Sequence, residues 1–280
     1  MKQFLLNCIL AGAAFIFILY LSCFIGNRII TKYDVNVFQL YGFEVKHSIY
    51  KSKKHKKVKK LLLGDSVANQ LYSNNDCNGE IYSLASTQAI SVAGQYFLLN
   101  NFIESNKDDL PDEVIFLYSP FSLGYNFDKF TYHYFLKPFF NKEYIKYFDK
   151  NLLARVEQIP QYKTAQFLLI NCSNYSPRYE MLKDKNLLLS PITQTYLDKI
   201  IDICANNGIS LKLVSTPIRK SRKNEFGNLL RNLQKGNKQS ELLRQYISSV
   251  TYYDDEMFGD PSHFKKEFVP KDYLSLNNLN

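Results

Sequence analysis

From Phe4 to Ile25 the chain is almost unbroken in apolar side chains, with Asn7 and Ser22 the only clearly polar ones. At ~1.5 Å per helical residue such a run matches the ~30 Å hydrocarbon core of a bilayer, and a single water-soluble core has no room for it. It divides the 280 residues into an anchor, residues 1–26, and a remainder that must fold in water. No small-residue cleavage site precedes Gly26-Asn27-Arg28, so an uncleaved single-pass anchor is expected rather than a removed signal peptide. Cys23 after Leu21-Ser22 faintly resembles a lipoprotein signal, which Tyr20 and Phe24 fit poorly. Orientation stays open, because Lys2 and the amino terminus on one side face Arg28 and Lys32 on the other.

Beyond the anchor, charge is the first thing to interpret. A net +9 could indicate a nucleic-acid binder, yet seven of those charges sit in the segment KSKKHKKVKK, residues 51–60. With the excess so local, no nucleic-acid partner is expected. The run reads first as a solvated lead-in to a strand and second as a contact with anionic lipid or polymer near the mouth of a site. Residues 27–56 are accordingly read as a juxtamembrane basic linker. With 46% hydrophobic residues, 11 Gly and 9 Pro, the rest is a folded domain, neither disordered nor collagen-like. Cys77, Cys172 and Cys204 have no metal-like spacing.

Over residues 57–280 strands and helices alternate. VKKLLL, residues 58–63, is a strand stopped by Gly64-Asp65-Ser66, and residues 67–72 continue as a helix. EIYSLA, residues 80–85, is a second strand, followed by a helix over residues 90–104 in which Val92, Tyr96, Leu99 and Ile103 recur at helical spacing. EVIFLY, residues 113–118, is continuously apolar, as a buried parallel strand would be. Residues 121–190 lose periodicity and read as an aromatic-rich insert. A helix over residues 191–207, a strand over 210–215, a helix over 224–247 and a last strand over 250–253 follow. Such alternation implies an α/β fold with a parallel sheet covered on both faces and a site at the carboxyl ends of its strands.

The chemically capable residues collect at those ends. Ser66 closes the first strand; Asp260 and His263 follow the last. A serine hydroxyl is a weak nucleophile until an imidazole takes its proton, and that imidazole needs a carboxylate to fix its tautomer. Asp260, three residues before His263, can supply it, and the Ser66 backbone N–H at a helix start can meet a developing oxyanion. Of the other histidines, His47 and His55 lie in the linker and lysine run and His133 in the insert. No glycine-rich phosphate loop and no metal-ligand spacing is present, so no cofactor and no metal is expected.

Gly64-Asp65-Ser66 after an apolar strand, with Asp260-Pro261-Ser262-His263 near the C-terminus, resembles the SGNH or GDSL hydrolase superfamily over roughly residues 57–269. The resemblance implies a flavodoxin-like three-layer α/β/α sandwich with a parallel sheet, preceded here by one transmembrane helix. It implies ester hydrolysis or acyl transfer through an acyl-serine, with Ser66 as nucleophile, His263 as base and Asp260 as orienting acid. Where the family has Asn-Leu-Gly, this chain reads Ser83-Leu84-Ala85, and the Gly-x-Asn-Asp block is met only by Gly124-Tyr125-Asn126-Phe127-Asp128. Asn126, with the Ser66 N–H, is the candidate oxyanion hole. The layout is similar to membrane-tethered members that modify envelope polysaccharides, which implies a single-pass protein of the bacterial cytoplasmic membrane with its domain outside. The implied substrate is an acylated glycan or polysaccharide, with a membrane-bound acyl-donor protein as a further partner. An inactive glycan-binding or scaffold protein of the same fold and a lysophospholipase-like lipase are the alternatives.

Overall fold

The computed structural model describes residues 1–33, 43–72, 80–87, 90–124, 139, 142–157, 188–231, 238–270 and 273–276. The apolar run forms helix α1 (Lys2–Tyr33), and its first 21 residues, Lys2–Ser22, are long and apolar enough to cross a membrane. None of that stretch is buried against the rest of the chain, and large side chains such as Phe4, Ile9 and Phe17 stand exposed. Among the described residues this stretch stands outside the packed core, and its exposed apolar side chains suit a lipid environment.

The next element, α2 (Phe43–Ser52), falls in the segment expected to be a linker. Val45 and Ser48 are buried, and the Asn101 amide donates to the Ser52 hydroxyl at 2.9 Å. Residues of this segment therefore pack onto the region that follows it. An amphipathic turn ahead of the lysine run is too short to stand out beside the charge.

Three strands and two helices follow in the expected order: β1 (Lys60–Gly64), α3 (Ser66–Leu71), β2 (Ile81–Ser83), α4 (Ser91–Ser105) and β3 (Glu113–Tyr118). After the short helices α5 (Lys142–Ile145) and α6 (Lys150–Glu157) come α7 (Pro191–Asn206) and β4 (Ser210–Ser215). The Ser190 hydroxyl caps α7 by accepting from the Thr193 N–H, Pro191 occupies the first helical position, and Gly208 takes the left-handed conformation just past the end. The four strands form one parallel sheet in the order β2-β1-β3-β4, with Leu62 opposite Ile115 and Leu117 opposite Val214. Most of the insert expected over 121–190 lies outside the described residues.

Burial explains why the two central strands lack alternation. Leu61, Leu63, Val114, Phe116 and Tyr118 face α4 and α7 through residues such as Phe97, Leu98, Tyr196 and Ile200. Leu62, Ile115, Leu117 and Val214 face the other side, where Ala68 of α3 and Tyr273 and Leu274 of the short helix Tyr273–Leu276 cover them. Both faces of the sheet are apolar, as a covered parallel sheet requires.

Helices α8 (Lys223–Arg231) and α9 (Lys238–Ser248) fall on the helix read over residues 224–247, of which residues 232–237 lie outside the described residues. One expectation needs correction. The last strand does not join the main sheet. It is β6 (Tyr252–Tyr253), and it pairs in parallel with β5 (Ile218–Arg219) as a separate two-stranded ladder. Pro217 has no N–H to continue β4, and the Ser215 N–H donates to the Ser249 hydroxyl, so a side chain closes the β4 edge where a fifth strand would have to pair.

Candidate active site

Ser66 stands where β1 ends and α3 begins, and its position follows from its two neighbours. Gly64 packs so tightly that a Cβ there would lie 2.3 Å from the Ala68 Cβ and 2.4 Å from the Leu117 carbonyl oxygen. A residue with any side chain would push the turn off the sheet. Asp65 points the other way and is fully buried. Its Oδ1 accepts from the Val67 and Ala68 N–H groups at 3.0 and 3.2 Å, capping α3, and its Oδ2 accepts from the Ser119 N–H at 2.9 Å, tying the turn to the end of β3. Burial pushes the Asp65 carboxyl above its usual range, against the pull of the Ser119, Ala68 and Val67 N–H groups and the Ser122 hydroxyl. Asp65 thus leaves the Ser66 N–H, at the first helical position, outside its set of acceptor bonds.

The partner loop carries Asp260 and His263. His263 Nε2 lies 2.8 Å from Ser66 Oγ, and His263 Nδ1 lies 2.8 Å from Asp260 Oδ2. An ionised carboxylate can only accept, so Nδ1 carries the proton and the Nε2 lone pair faces the serine hydroxyl. The other oxygen of Asp260 accepts from the Ser262 and His263 N–H groups, both at 2.8 Å. Partial burial pushes the Asp260 carboxyl up, and those two N–H groups with the His263 ring outweigh it, so the carboxyl lies below its usual range. The loop is open to solvent: the side chains of His263 and Asp260 are 35% and 53% exposed. Arg219 donates to the Asp260 carbonyl from the neighbouring β5.

The three residues singled out in the sequence, Ser66, Asp260 and His263, therefore meet in hydrogen-bonding geometry across 197 positions of chain. Asn126, the candidate oxyanion donor, lies outside the described residues, as does His133. In the second block the Ser86 N–H donates to the Gly64 carbonyl at 3.0 Å, so it extends the ladder and does not face the serine. The Ser86 hydroxyl is buried with no partner among the described residues. Burial raises the Cys204 thiol to about 12, which leaves it no nucleophile at neutral pH.

The lysine run behaves as a structural lead-in. Lys51 is buried and donates to the Ser83 carbonyl at 2.8 Å, Lys53 pairs with Glu143, and Lys57 pairs with Asp109 at 3.1 Å. Its last lysines enter the amino end of β1, whereas Ser66 follows the carboxyl end, so the run does not border the mouth of the site.

Sequence reasoning passes over two residues that shape the site, Gln95 and Gln70, and gives no role to a third, Asp65. Gln95 of α4 is buried and brackets Gly64, its Oε1 accepting from the Gly64 N–H at 3.2 Å and its Nε2 donating to the Gly64 carbonyl at 2.7 Å. The visible signal is a polar side chain on the helix face that also carries Val92 and Leu99. Asp65 has the N-cap pattern, and Gln70 stands one helical turn after Ser66. No family model, no curated protein and no solved structure matches the chain.

Proposed function

We propose that the chain is an SGNH-type serine esterase or O-acyltransferase. The observation that carries this reading is the unbroken hydrogen-bonded line from Ser66 Oγ through the His263 ring to the Asp260 carboxylate, at the carboxyl ends of parallel strands. In the first half-reaction Ser66 Oγ attacks the ester carbonyl as His263 Nε2 takes its proton, and the carbonyl oxygen becomes an oxyanion received by the Ser66 N–H and Asn126. The tetrahedral centre collapses, His263 returns the proton to the departing alcohol, and the acyl group stays on Ser66. Water or an acceptor hydroxyl then gives its proton to His263 and attacks, releasing an acid or a new ester and restoring the serine.

The anchor and the resemblance together support a single-pass protein of the bacterial cytoplasmic membrane with the domain on its outer face. There it would act on acylated glycan or polysaccharide, in company with a membrane-bound acyl donor. A second reading, an inactive glycan-binding or scaffold protein of this fold, is favoured by one observation: the Ser86 N–H is committed to the ladder, so the second-block oxyanion donor is not at that position.

Turnover of p-nitrophenyl acetate by the full chain in detergent separates the two. Release of p-nitrophenol that disappears in Ser66→Ala and in His263→Ala supports the enzyme. A folded chain with the same rate in all three favours the binding protein. Competition by acetylated sugars rather than lysophospholipid would mark glycan as the substrate class, and the converse would mark a lipase.

A further inference from the structure

A single serine–histidine hydrogen bond contributes little net stability, too little to hold a solvent-exposed loop in register against a helix. Something else must set where His263 stands. The loop is stiff within itself: the Gly259 N–H donates to the His263 carbonyl and the Lys265 N–H to the Met257 carbonyl, both at 2.8 Å, and the Phe258 and Phe264 rings stack with centroids 4.3 Å apart. These contacts tie the loop together, so its docking on α3 bears directly on the reach of the imidazole.

That docking is made by Gln70. Its Nε2 donates to the Phe264 carbonyl at 2.8 Å, and its Oε1 accepts from the Phe264 N–H at 2.9 Å. A carboxamide here pairs with a backbone peptide as a neighbouring strand would. The spacing makes the pairing significant. Ser66 and Gln70 are four residues apart and share one face of α3, while His263 and Phe264 are adjacent on the loop. The Ser66–His263 contact and the Gln70–Phe264 pair are consecutive rungs between the same two segments.

Resting on the esterase reading above for its consequence in turnover, we propose that Gln70 is a positioning residue, which fixes the acid–base loop so that His263 Nε2 faces Ser66 Oγ. Glutamine is suited to this because it offers one donor and one acceptor at the right reach. Glutamate lacks the donor for the Phe264 carbonyl, and leucine keeps the bulk but offers neither group.

The test uses the full chain in detergent with the imidazole nitrogens of His263 followed by 15N NMR. Ser66→Ala removes the hydrogen bond to Nε2 and marks the resonance of an undocked imidazole. Gln70→Leu should move the His263 Nε2 resonance toward that position, and Gln70→Glu should move it part of the way, with the melting midpoint within a few degrees of the parent. If turnover is present, Gln70→Leu should lower kcat about tenfold to a hundredfold with KM little changed, as expected when a reacting group is displaced by ~1 Å. A Gln70→Leu resonance unmoved from the parent, in a protein whose Ser66→Ala resonance does move, overturns the proposal whether or not the chain turns over substrate. Should Gln70→Leu not fold, the Gln70→Glu resonance decides in the same way: a shift toward the Ser66→Ala position supports the proposal, and an unmoved resonance overturns it. Absence of Ser66-dependent turnover in the parent itself would strike the esterase reading and leave the docking result standing.

Discussion

Two aspartates flank the candidate site and differ in nearly every respect. Asp65 is sealed beneath the turn, its carboxyl pushed up by burial and its oxygens taken by backbone N–H groups of α3 and of the end of β3. Asp260 stands half in solvent on a surface loop, its carboxyl held down by the His263 ring and two N–H groups. The first builds the place where Ser66 sits; the second is hydrogen-bonded to the His263 ring that faces it. The turn that carries Ser66 belongs to the core of the fold, and the loop that carries Asp260 and His263 is attached to it. Substitutions in the two regions should therefore separate into losses of stability and losses of rate.

The largest effect is expected at the point where the regions touch. Ser66→Ala should abolish p-nitrophenyl ester turnover, by about 10^4-fold or more, with the melting midpoint retained. Asp260→Asn should come next, slowing turnover by about 10^2-fold or more with only a small loss of stability, because the amide no longer fixes the Nδ1–H tautomer. An Asp260→Asn protein that melts well below the parent would blur the contrast.

Asp65→Ala should do the reverse. It removes the α3 cap and strands the buried Ser119 N–H, so chemical denaturation should show a loss of about 2–4 kcal/mol. Gly64→Ala should also destabilise, and expression with a measured melting midpoint would check it, since the added methyl meets the Leu117 carbonyl. Any activity lost in either variant should follow the unfolded fraction.

The smallest effect sharpens the contrast through pH. Asp260 has a folded value below its unfolded ~3.9, so its contribution to stability is present above that pH and lost as pH falls through the folded value. Asp65 has a folded value above it, so its protonated form favours folding at low pH, and that contribution is lost as pH rises through the folded value. Following both carboxyl carbons by NMR should place their midpoints on opposite sides of ~3.9. His263→Gln should raise the Asp260 midpoint, by removing a donor and a positive charge, and leave that of Asp65 unmoved.

Much of this arrangement is legible in the sequence, for reasons that differ by region. β3 can be read to the residue because a continuous apolar run bounded by turn residues has few alternatives, and β4 because Gly208 and Pro217 bracket it closely. Ser66, Asp260 and His263 are legible because their chemistry restricts which residue types can serve and the strand ends restrict where. α2 is hidden by the lysines after it, and the detachment of β6 from the main sheet depends on Pro217 and Ser249, a tertiary fact with no local signature. Gln70 and Gln95 escape notice because a glutamine reads as surface unless its partner, a peptide group of Phe264 or Gly64, is known.

The nucleophile is tested most directly by reaction of the full chain in detergent with a fluorophosphonate probe, with the modified residue located by mass spectrometry. A serine activated by His263 predicts a single adduct on Ser66, lost in Ser66→Ala and strongly slowed in His263→Ala. A folded protein that forms no adduct, or forms it on another residue at the same rate in both variants, would contradict it.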